Sequence, residues 1–271
     1  MATPLLADEL WQRLGPLLPP PKPRRFRFPG RQPLTHRQAL TGILFALKTG
    51  INWDDLPREL NGGSGSRCRR RLAEWHQAGV WVRLHALLLD ELRGADKIDW
   101  SRAAVDSASV RALGGGEETG PNPTDRGKKG SKHHAVVDRH SIPLAATATA
   151  ANVPDVKGLL EVVDQVPDVH GKPGRPRCRP EELYGDRAYD SQPHREALRD
   201  RGARPRLARR DTEHGSGLGV FRRVAGRFVS HRHRFRKLRL RADWTLQAQD
   251  ALLKLACSIM GLNILLSPQG G

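Results

Sequence analysis

The sequence predicts an α/β protein in two parts, an all-helical segment over residues 1–95 and a domain with a mixed sheet over residues 96–271. In the first part, apolar residues recur at the three- and four-residue spacing of amphipathic helices. From residue 97 onward, short runs rich in alanine, valine and threonine replace that spacing and predict strands. Their order along the chain, three strands followed by helix, strand and helix, is typical of a mixed sheet covered by helices.

The helical segment begins with a predicted helix over residues 8–18, which ends at the prolines 19–21, and a basic, proline-rich linker follows. Thr35 opens a second helix, in which four apolar residues share one face: Leu40, Ile43, Leu44 and Leu47. A glycine-rich turn at residues 61–65 leads into a third predicted helix over residues 66–81.

The third predicted helix carries arginines on one face and an apolar stripe of Leu72, Trp75 and Val80 on another. A helix, a short glycine turn and an arginine-rich helix together resemble helix-turn-helix DNA-binding modules. We therefore expect four arginines of this helix to read DNA: Arg67, Arg69, Arg70 and Arg71.

In the second part, the first two strands flank a glycine-rich loop. The predicted elements are strands at residues 98–110, 133–138 and 143–152, a helix at 152–166, a strand starting at 183 and a helix at 194–201. The longest apolar run, residues 252–266, contains Lys254 and is too short to span a bilayer, so it predicts a buried helix.

The charge balance is strongly basic and indicates a polyanionic partner. The chain has 46 lysines and arginines against 29 acidic residues, a formal net charge of +17 at pH 7. Because the basic residues are clustered, we expect that partner to be a nucleic acid. An anionic membrane surface would need an amphipathic helix with a bulky apolar face, which the basic stretches lack. The N-terminus lacks a signal-peptide pattern, so we expect a cytoplasmic, nucleoid-associated protein.

The cysteine and histidine patterns do not predict a metal site. Three cysteines, far apart and without a CxxC pair, exclude a disulfide framework and argue against structural zinc. His133, His134, His231 and His233 have no paired partners at ligand spacing elsewhere, so we expect ordinary strand and surface histidines.

Two aspartates that end apolar runs are the candidate catalytic residues. Asp106 follows Ala103, Ala104 and Val105, and Asp186 follows a predicted strand. A carboxylate at a strand end faces the crevice where α/β sheets bind ligands. Two such carboxylates repel each other unless a cation lies between them, and Mg²⁺ suits a site with one or two carboxylates. Each aspartate taken alone is more simply explained as a strand-end residue that caps a loop N–H.

The sequence resembles the DDE transposases of bacterial insertion sequences, specifically insertion sequence family five of the four-like superfamily. The resemblance rests on DSASVR from Asp106, GPNPTDRGKKGSKHH in the glycine-rich loop and YGDRAYDS around Asp186. In the N-terminal part it rests on DELWQRLGPLLPP, LTGILFALKTGINWDDLP and RRLAEWHQAGVW. It extends from about residue 8 to residue 266.

This resemblance implies a ribonuclease-H-like catalytic domain with two Mg²⁺ (or Mn²⁺) ions, for which Asp106 is the first metal ligand and Asp186 the second. It implies cleavage at terminal inverted repeats, followed by attack of the freed 3′-hydroxyl on target DNA. Because two ends must be brought together, we expect at least a dimer on DNA.

The third acidic residue of the family pattern is missing. When GSGLG and HRFRKLRLR are aligned with relatives without gaps, Gly226 occupies the glutamate position. The sequence contains no acidic residue between Glu213 and Asp243. Since glycine supplies no ligand oxygen, we expect weak binding of the second metal and impaired cleavage, unless Glu213 folds back to substitute.

The basic run that surrounds this position has no interleaved acids, which favours phosphate contact over an ordinary solvated helix face. We therefore expect DNA contacts from two further sets of residues. They are Lys128, Lys129 and Lys132 in the glycine-rich loop, and Arg187, Arg227, Arg234, Arg236 and Lys237 near the aspartates.

Three functions remain open from the sequence: a competent transposase, a non-catalytic DNA-binding remnant or repressor, and a ribonuclease-H-like nuclease. The Gly226 position favours the second over the first for present activity.

Overall fold

The computed structural model describes residues 4–21, 23, 26–27, 32–61, 63–210, 226 and 228–267. Its helices are α1 Asp8–Leu14, α2 His36–Thr49, α3 Arg58–Asn61, α4 Gly65–Gln77, α5 Val80–Gly94, α6 Asp155–Asp164, α7 Gln192–Asp200, α8 at residues 226 and 228–232, and α9 Leu246–Leu266. Its strands are β1 Arg102–Ala112, β2 Gly120–Pro121, β3 Lys129–Asp138, β4 Pro143–Ala150, β5 Glu182–Gly185, β6 Arg204–Leu207 and β7 Leu240–Arg241.

The predicted second helix is confirmed as α2, and its ends follow from local chemistry. The Thr35 hydroxyl accepts from the Gln38 backbone N–H (3.2 Å), and the Gln38 side chain accepts from the Thr35 N–H (3.1 Å), which together form a capping box. Gly50 ends the helix in the left-handed conformation (φ +78°), which glycine adopts without strain. The four apolar residues predicted to share one face are all buried.

The predicted third helix is two helices, which corrects the sequence prediction. α4 ends at Gln77, and Gly79 turns the chain with φ +70° before α5 begins at Val80. The stripe residues Leu72, Trp75 and Val80 are all buried despite this break. They stay in one core because the turn folds α5 back, so that Trp75 and Trp81 pack edge to face with 5.8 Å between ring centroids.

The predicted mixed sheet is confirmed, with strand order β4–β3–β1–β5–β6. β1, β3 and β4 pair antiparallel, whereas β1, β5 and β6 pair parallel. The short strands β2 and β7 pair with β3 and β1. The sequence missed β6, and it assigned residues 129–132 to a loop although they begin β3.

Each face of the sheet has its own core. Ala104 of β1 and Tyr184 of β5 pack on a core formed with α2, α4, α5 and α9. Ala103 and Val105 pack on the opposite core, with α6 and α7. The first core runs without interruption from the N-terminal helices to the sheet, so the expected boundary at residues 95 and 96 is not a break in packing and stays a prediction.

The C-terminal apolar run forms α9, a buried helix as predicted. The expectation that the run is too short to span a bilayer is wrong, because α9 has 21 residues and is long and apolar enough to cross a membrane by length and composition alone; 61% of its apolar 18-residue stretch is buried inside the protein. Its contacts with α5 and β4 explain the apolar composition. All three cysteines are free, as predicted.

Candidate active site and DNA-binding surface

Asp106 is the fifth residue of β1 and lies on the same face as Ala104, since side chains alternate along a strand. The three residues before it are buried, whereas Asp106 is half-exposed. Its Oδ1 accepts a hydrogen bond from the Ser107 N–H (2.8 Å), which fixes one carboxylate oxygen.

Asp186 follows β5 directly and begins a short 3₁₀ helix, Arg187–Tyr189. Its Oδ1 accepts from the Ala188 N–H at 2.8 Å, and the side chain is half-exposed. Both aspartates therefore accept a local backbone N–H, which the capping interpretation expects, and both still reach the surface.

The sheet brings the two aspartates together. In the parallel pair, Ala103 lies opposite Leu183 and Ala104 opposite Tyr184, so two residues further along Asp106 lies beside Asp186. Neighbouring strands are about 4.8 Å apart, and residues in register share a face. Continued past the end of β5 by two residues, this register would set the two carboxylates side by side on the face that carries Ala104.

The phenol of Tyr189 lies near enough to three aspartates for their charges to raise its pKa. Tyr189 is buried, and its hydroxyl lies near the Ser107 side chain, a hydrogen-bond partner that lowers the phenol pKa. Burial, then the charge of Asp155, then smaller effects of Asp106 and Asp186 raise the pKa of Tyr189. Three carboxylates thus act on one phenol, which places them in one region of the molecule.

Asp155 is a carboxylate that the sequence analysis missed. It begins α6, and its Oδ1 accepts from the Ser107 hydroxyl (2.8 Å) and pairs with the Lys132 ammonium (2.9 Å). Ser107 lies on the opposite face of β1 from Asp106, so Asp155 approaches the sheet from the α6 side. The only sequence signal was an acid in the first turn of a helix, a position that the helix dipole alone explains.

The donor set fits part of a magnesium site. Two half-exposed carboxylates side by side are ligands of the type that Mg²⁺ or Mn²⁺ prefers. Within the described ranges, however, no group of three His, Cys, Asp or Glu side chains is arranged to hold a metal ion. Among the residues that the structure describes, the site therefore offers two carboxylates.

Gly226 lies on α8, which packs on the face of the sheet that carries the two aspartates. Phe228 belongs to the core on this face, and the Arg232 guanidinium contacts His133, which pairs with Ala108 of β1. Gly226 is exposed, and a Cβ built on it meets no atom within 4 Å. The position thus has room for a larger side chain. Glu213 and Arg227 lie outside the described residues.

The four arginines predicted to read DNA lie on α4. Arg69 and Arg70 are exposed, whereas Arg67 and Arg71 are half-buried. Arg71 forms an ion pair with Glu74 (2.8 Å), which offsets its charge. Arg69 and Arg70 are therefore the members of this set that are most accessible to a phosphate.

Two lysines predicted to contact DNA are already engaged by the protein, which corrects the sequence analysis; Lys237 is buried, and the Lys132 side chain is 13% exposed. Lys237 is 2% exposed; its ammonium donates to the Ile51 carbonyl (3.0 Å) and lies 5.4 Å from the centroid of the Trp53 ring. Lys132 donates to the Val153 carbonyl (2.7 Å) besides its pair with Asp155. Their charges are already satisfied inside the protein.

The other members of the predicted set reach the surface. Lys128, Lys129, Arg234 and Arg236 are exposed, and Arg187 is half-buried beside Asp186. The run of cations around Arg234 is thus divided by burial, because Arg232, Lys237 and Arg241 point into the protein.

His133 and His134 are buried strand residues, as expected. Burial, and for His133 the neighbouring Arg232 charge, lowers the pKa of both, to about 4 for His134. His133 Nε2 lies 2.8 Å from the Gln249 side chain and His134 Nε2 2.8 Å from the Thr149 hydroxyl. Both histidines serve the packing of the sheet.

Comparison with known proteins decides the family. Residues 6–85 match the family described as "Putative transposase of IS4/5 family", and residues 100–249, more than half of the chain, match the "Transposase DDE domain". The chain belongs to the IS4/5-type DDE transposases. The DDE domain implies the ribonuclease-H-like fold, in agreement with the mixed sheet.

Two curated relatives come from Burkholderia cepacia. The transposase is 62% identical over 123 residues to "Insertion element IS402 uncharacterized 16.2 kDa protein", covering 45% of this chain and 84% of that protein. It is 50% identical over 151 residues to "Putative transposase for insertion sequence element IS402", covering 56% of this chain and 72% of that protein.

One solved structure is a distant neighbour of the transposase. A chain of the simian T-cell lymphotropic virus intasome in complex with PP2A regulatory subunit B56 gamma matches with a TM-score of 0.33 and 13% identity, covering 85% of this chain and 74% of that chain. At this level the likeness carries no argument.

Proposed function

We propose that this transposase binds the terminal inverted repeats of its element and that Asp106 and Asp186 form the metal-binding part of its active site, with two Mg²⁺ or Mn²⁺ ions in the active family form. The supporting observation is the parallel register of β1 and β5, which, continued by two residues, would bring Asp106 beside Asp186. α4, with Arg69 and Arg70 exposed, is the proposed DNA-reading helix.

The chain's own residues would act mainly by positioning. When bound, the divalent ions activate a water or a 3′-hydroxyl and stabilise the leaving oxygen of the phosphodiester. The N–H groups of Ser107 and Ala188 each hold one oxygen of an aspartate, which fixes the orientation of both carboxylates before any ion binds. Arg187 beside Asp186 and the exposed cations Arg234 and Arg236 would bind the DNA backbone.

We further propose that Gly226 impairs strand cleavage. Two carboxylates hold the second ion less well than three, and the scissile phosphate is then poorly oriented. The open space around Gly226 supports a direct repair, because a glutamate at this position meets no neighbour near its Cβ. Glycine also costs a helix up to about 1 kcal/mol relative to alanine, so the repair is not expected to destabilise α8.

The test is cleavage of the flanking inverted repeats in Mg²⁺ by the natural protein and by Gly226→Glu, with Gly226→Gln as the matched control without charge. We expect binding by all three proteins and efficient cleavage by Gly226→Glu alone. Equal cleavage by the natural protein would overturn the impairment proposal.

The same assay separates the alternative functions. Binding without cutting by the natural protein supports a DNA-binding remnant or repressor, for which Gly226 is the supporting observation. Cutting of arbitrary duplex or of RNA hybrids would support a nuclease instead.

The proposed partners follow from the same mechanism. Terminal repeats and target DNA are both double-stranded, and the joining of two ends requires a dimer or larger assembly on DNA. We place this activity in the cytoplasm, on nucleoid DNA, with no membrane partner.

A further inference from the structure

An exposed apolar patch at the carboxyl end of β1 is explained neither by the fold nor by the two aspartates. Trp244, Leu113 and Leu240 are 62%, 60% and 38% exposed. β7 pairs with the end of β1, and the Leu113 N–H donates to the Arg241 carbonyl (3.1 Å), so the backbone at Leu113 lies next to the backbone at residues 240 and 241. We call these three residues the tryptophan patch. Clustered large apolar side chains at a surface mark an interaction site more often than single ones do.

The backbone of Trp244 is held firmly although its side chain is exposed. Its carbonyl accepts from the Glu117 N–H (3.0 Å) and from Arg241 Nη2 (3.1 Å), and the next residue, Thr245, caps α9. A Cβ on Gly116 would lie 2.3 Å from the Trp244 carbonyl oxygen, so only glycine permits this approach. An indole presented from a fixed backbone loses little entropy when it binds.

The buried Arg241 side chain holds the backbone on either side of Trp244 in place. It is 1% exposed and donates to the Ser131 hydroxyl (2.6 Å) and to the carbonyls of Glu118 (3.2 Å), Asp243 (3.0 Å) and Trp244 (3.1 Å). All of these acceptors are neutral. The guanidinium therefore ties the loop before β2 to the segment before α9, and the nearby carboxylates of Asp243, Glu117 and Glu118 offset part of its charge.

Exposed cations surround the patch. Arg111 lies opposite Leu240, and a Cβ on Gly115 would lie 3.4 Å from the Lys129 ammonium, which places that ammonium over the loop beside Gly116. Lys128 and Arg239 are exposed as well. Two exposed acids, Glu117 and Glu118, share the loop, and Glu117 is engaged with the Leu246 N–H (2.8 Å) at the start of α9. The cations still outnumber the acids.

We propose that the tryptophan patch is a stacking surface for an unpaired nucleobase of the bound DNA. Aromatic side chains stack on any base, and flanking cations hold the phosphates on either side. A second copy of the chain is a poorer fit, because stable protein interfaces bury far more surface than three side chains offer. This inference rests on the DNA binding of the proposed function.

The position of the patch relative to Asp106 makes the proposal specific. From Asp106 to Ala112 is six residues of β1, about 20 Å at about 3.3 Å per residue. At about 3.4 Å per nucleotide, the stacked base lies roughly six nucleotides from the cleavage position.

The experiment compares the affinity of each protein for a blunt DNA duplex and for the same duplex with a single-stranded oligothymidine tail. The variants are Trp244→Ala, Trp244→Phe and, as a matched control, Val82→Ala, which truncates a 50% exposed apolar residue on α5. We expect the tail to raise the affinity of the natural protein about tenfold, within the range of base–aromatic stacking. Trp244→Ala should lose that gain, whereas Trp244→Phe and Val82→Ala should keep most of it.

The outcomes distinguish this proposal from the proposed function. If the natural protein binds neither DNA, both proposals fail. If it binds the blunt duplex but the tail adds nothing, or if Trp244→Ala weakens both substrates equally, the stacking proposal alone is overturned. A change from dimer to monomer in sedimentation of Trp244→Ala, with unchanged tail preference, would assign the patch to contact between copies and also overturn it. Retention of the tail gain by Trp244→Phe shows that the loss in Trp244→Ala is not misfolding.

Discussion

His85 makes the stability of this protein sensitive to acid at the junction between the helical segment and the sheet. It lies on α5, is buried, and its Nε2 donates to the carbonyl of Pro143 at the start of β4 (2.8 Å). Burial is the main reason that the pKa of His85 is lowered to about 4 from its usual 6.5. The unfolded chain therefore binds a proton on His85 at a higher pH than the folded protein does.

The sign and size of the effect follow from linkage. The stability that depends on neutral His85 is fully present above pH 6.5 and is lost as the pH falls towards 4. The difference between a pKa of 6.5 in the unfolded chain and a pKa of about 4 in the folded protein corresponds to about 3 kcal/mol by pH 4, at about 1.36 kcal/mol for each pH unit. We expect His85→Asn, which keeps an amide donor and cannot titrate, to be less stable than the natural protein at pH 7 and to regain about that difference at pH 4.

The assay is urea unfolding of both proteins at several pH values between 4 and 7.5. Other buried groups, including His133, His134 and Asp138, titrate equally in both proteins, so the difference between the two curves isolates His85. Curves that run parallel across this range would refute the reasoning.

Two further predictions concern single side chains. Lys237→Ala should lower the free energy of unfolding by about 1–2 kcal/mol, because it removes a buried hydrogen bond and a cation–π contact, and it should leave DNA affinity unchanged. Arg236 is exposed, so Arg236→Ala should weaken DNA binding and leave the free energy of unfolding unchanged. Unfolding and gel-shift titrations of both variants test this. Gly65→Ala should destabilise the protein by more than about 2 kcal/mol, since a Cβ there would lie 1.6 Å from the Trp53 carbonyl oxygen. Gly114→Ala is the control and should leave the melting temperature unchanged, because a Cβ there meets no atom within 4 Å. Equal melting temperatures of the two variants would contradict this packing.

Much of the fold could be predicted because its elements bury large apolar faces. The three- and four-residue spacing of apolar residues predicts α2, and the runs of small and β-branched residues predict β1, β3 and β4. β6 could not be predicted, because Arg204–Leu207 is only four residues long, contains a proline and has a single buried residue. It forms a strand because it pairs in parallel with the edge of β5, a contact that its own four residues do not indicate.

Some features of the candidate site could be predicted from the sequence, and others could not. The sequence predicts Asp106 and Asp186 at one crevice, but it places Asp106 at a strand end, whereas Asp106 is the fifth of eleven residues in β1 and only β5 ends beside it. That the ammonium groups of Lys132 and Lys237 bind partners within the protein was not predictable, because a lysine in a basic run has the same sequence signal whether its ammonium contacts a phosphate or a carbonyl of the chain itself. Only the positions of Asp155 and Ile51 decide between the two.

The central claim is that Asp106 and Asp186 share bound divalent ions, and titration of Mn²⁺ followed by electron paramagnetic resonance tests it most directly. We expect the natural protein to bind Mn²⁺, Asp106→Asn and Asp186→Asn each to lose that binding, and Asp155→Asn, whose carboxylate is paired with Lys132 on the other face of the sheet, to retain it. Undiminished Mn²⁺ binding by both Asp106→Asn and Asp186→Asn would contradict the account.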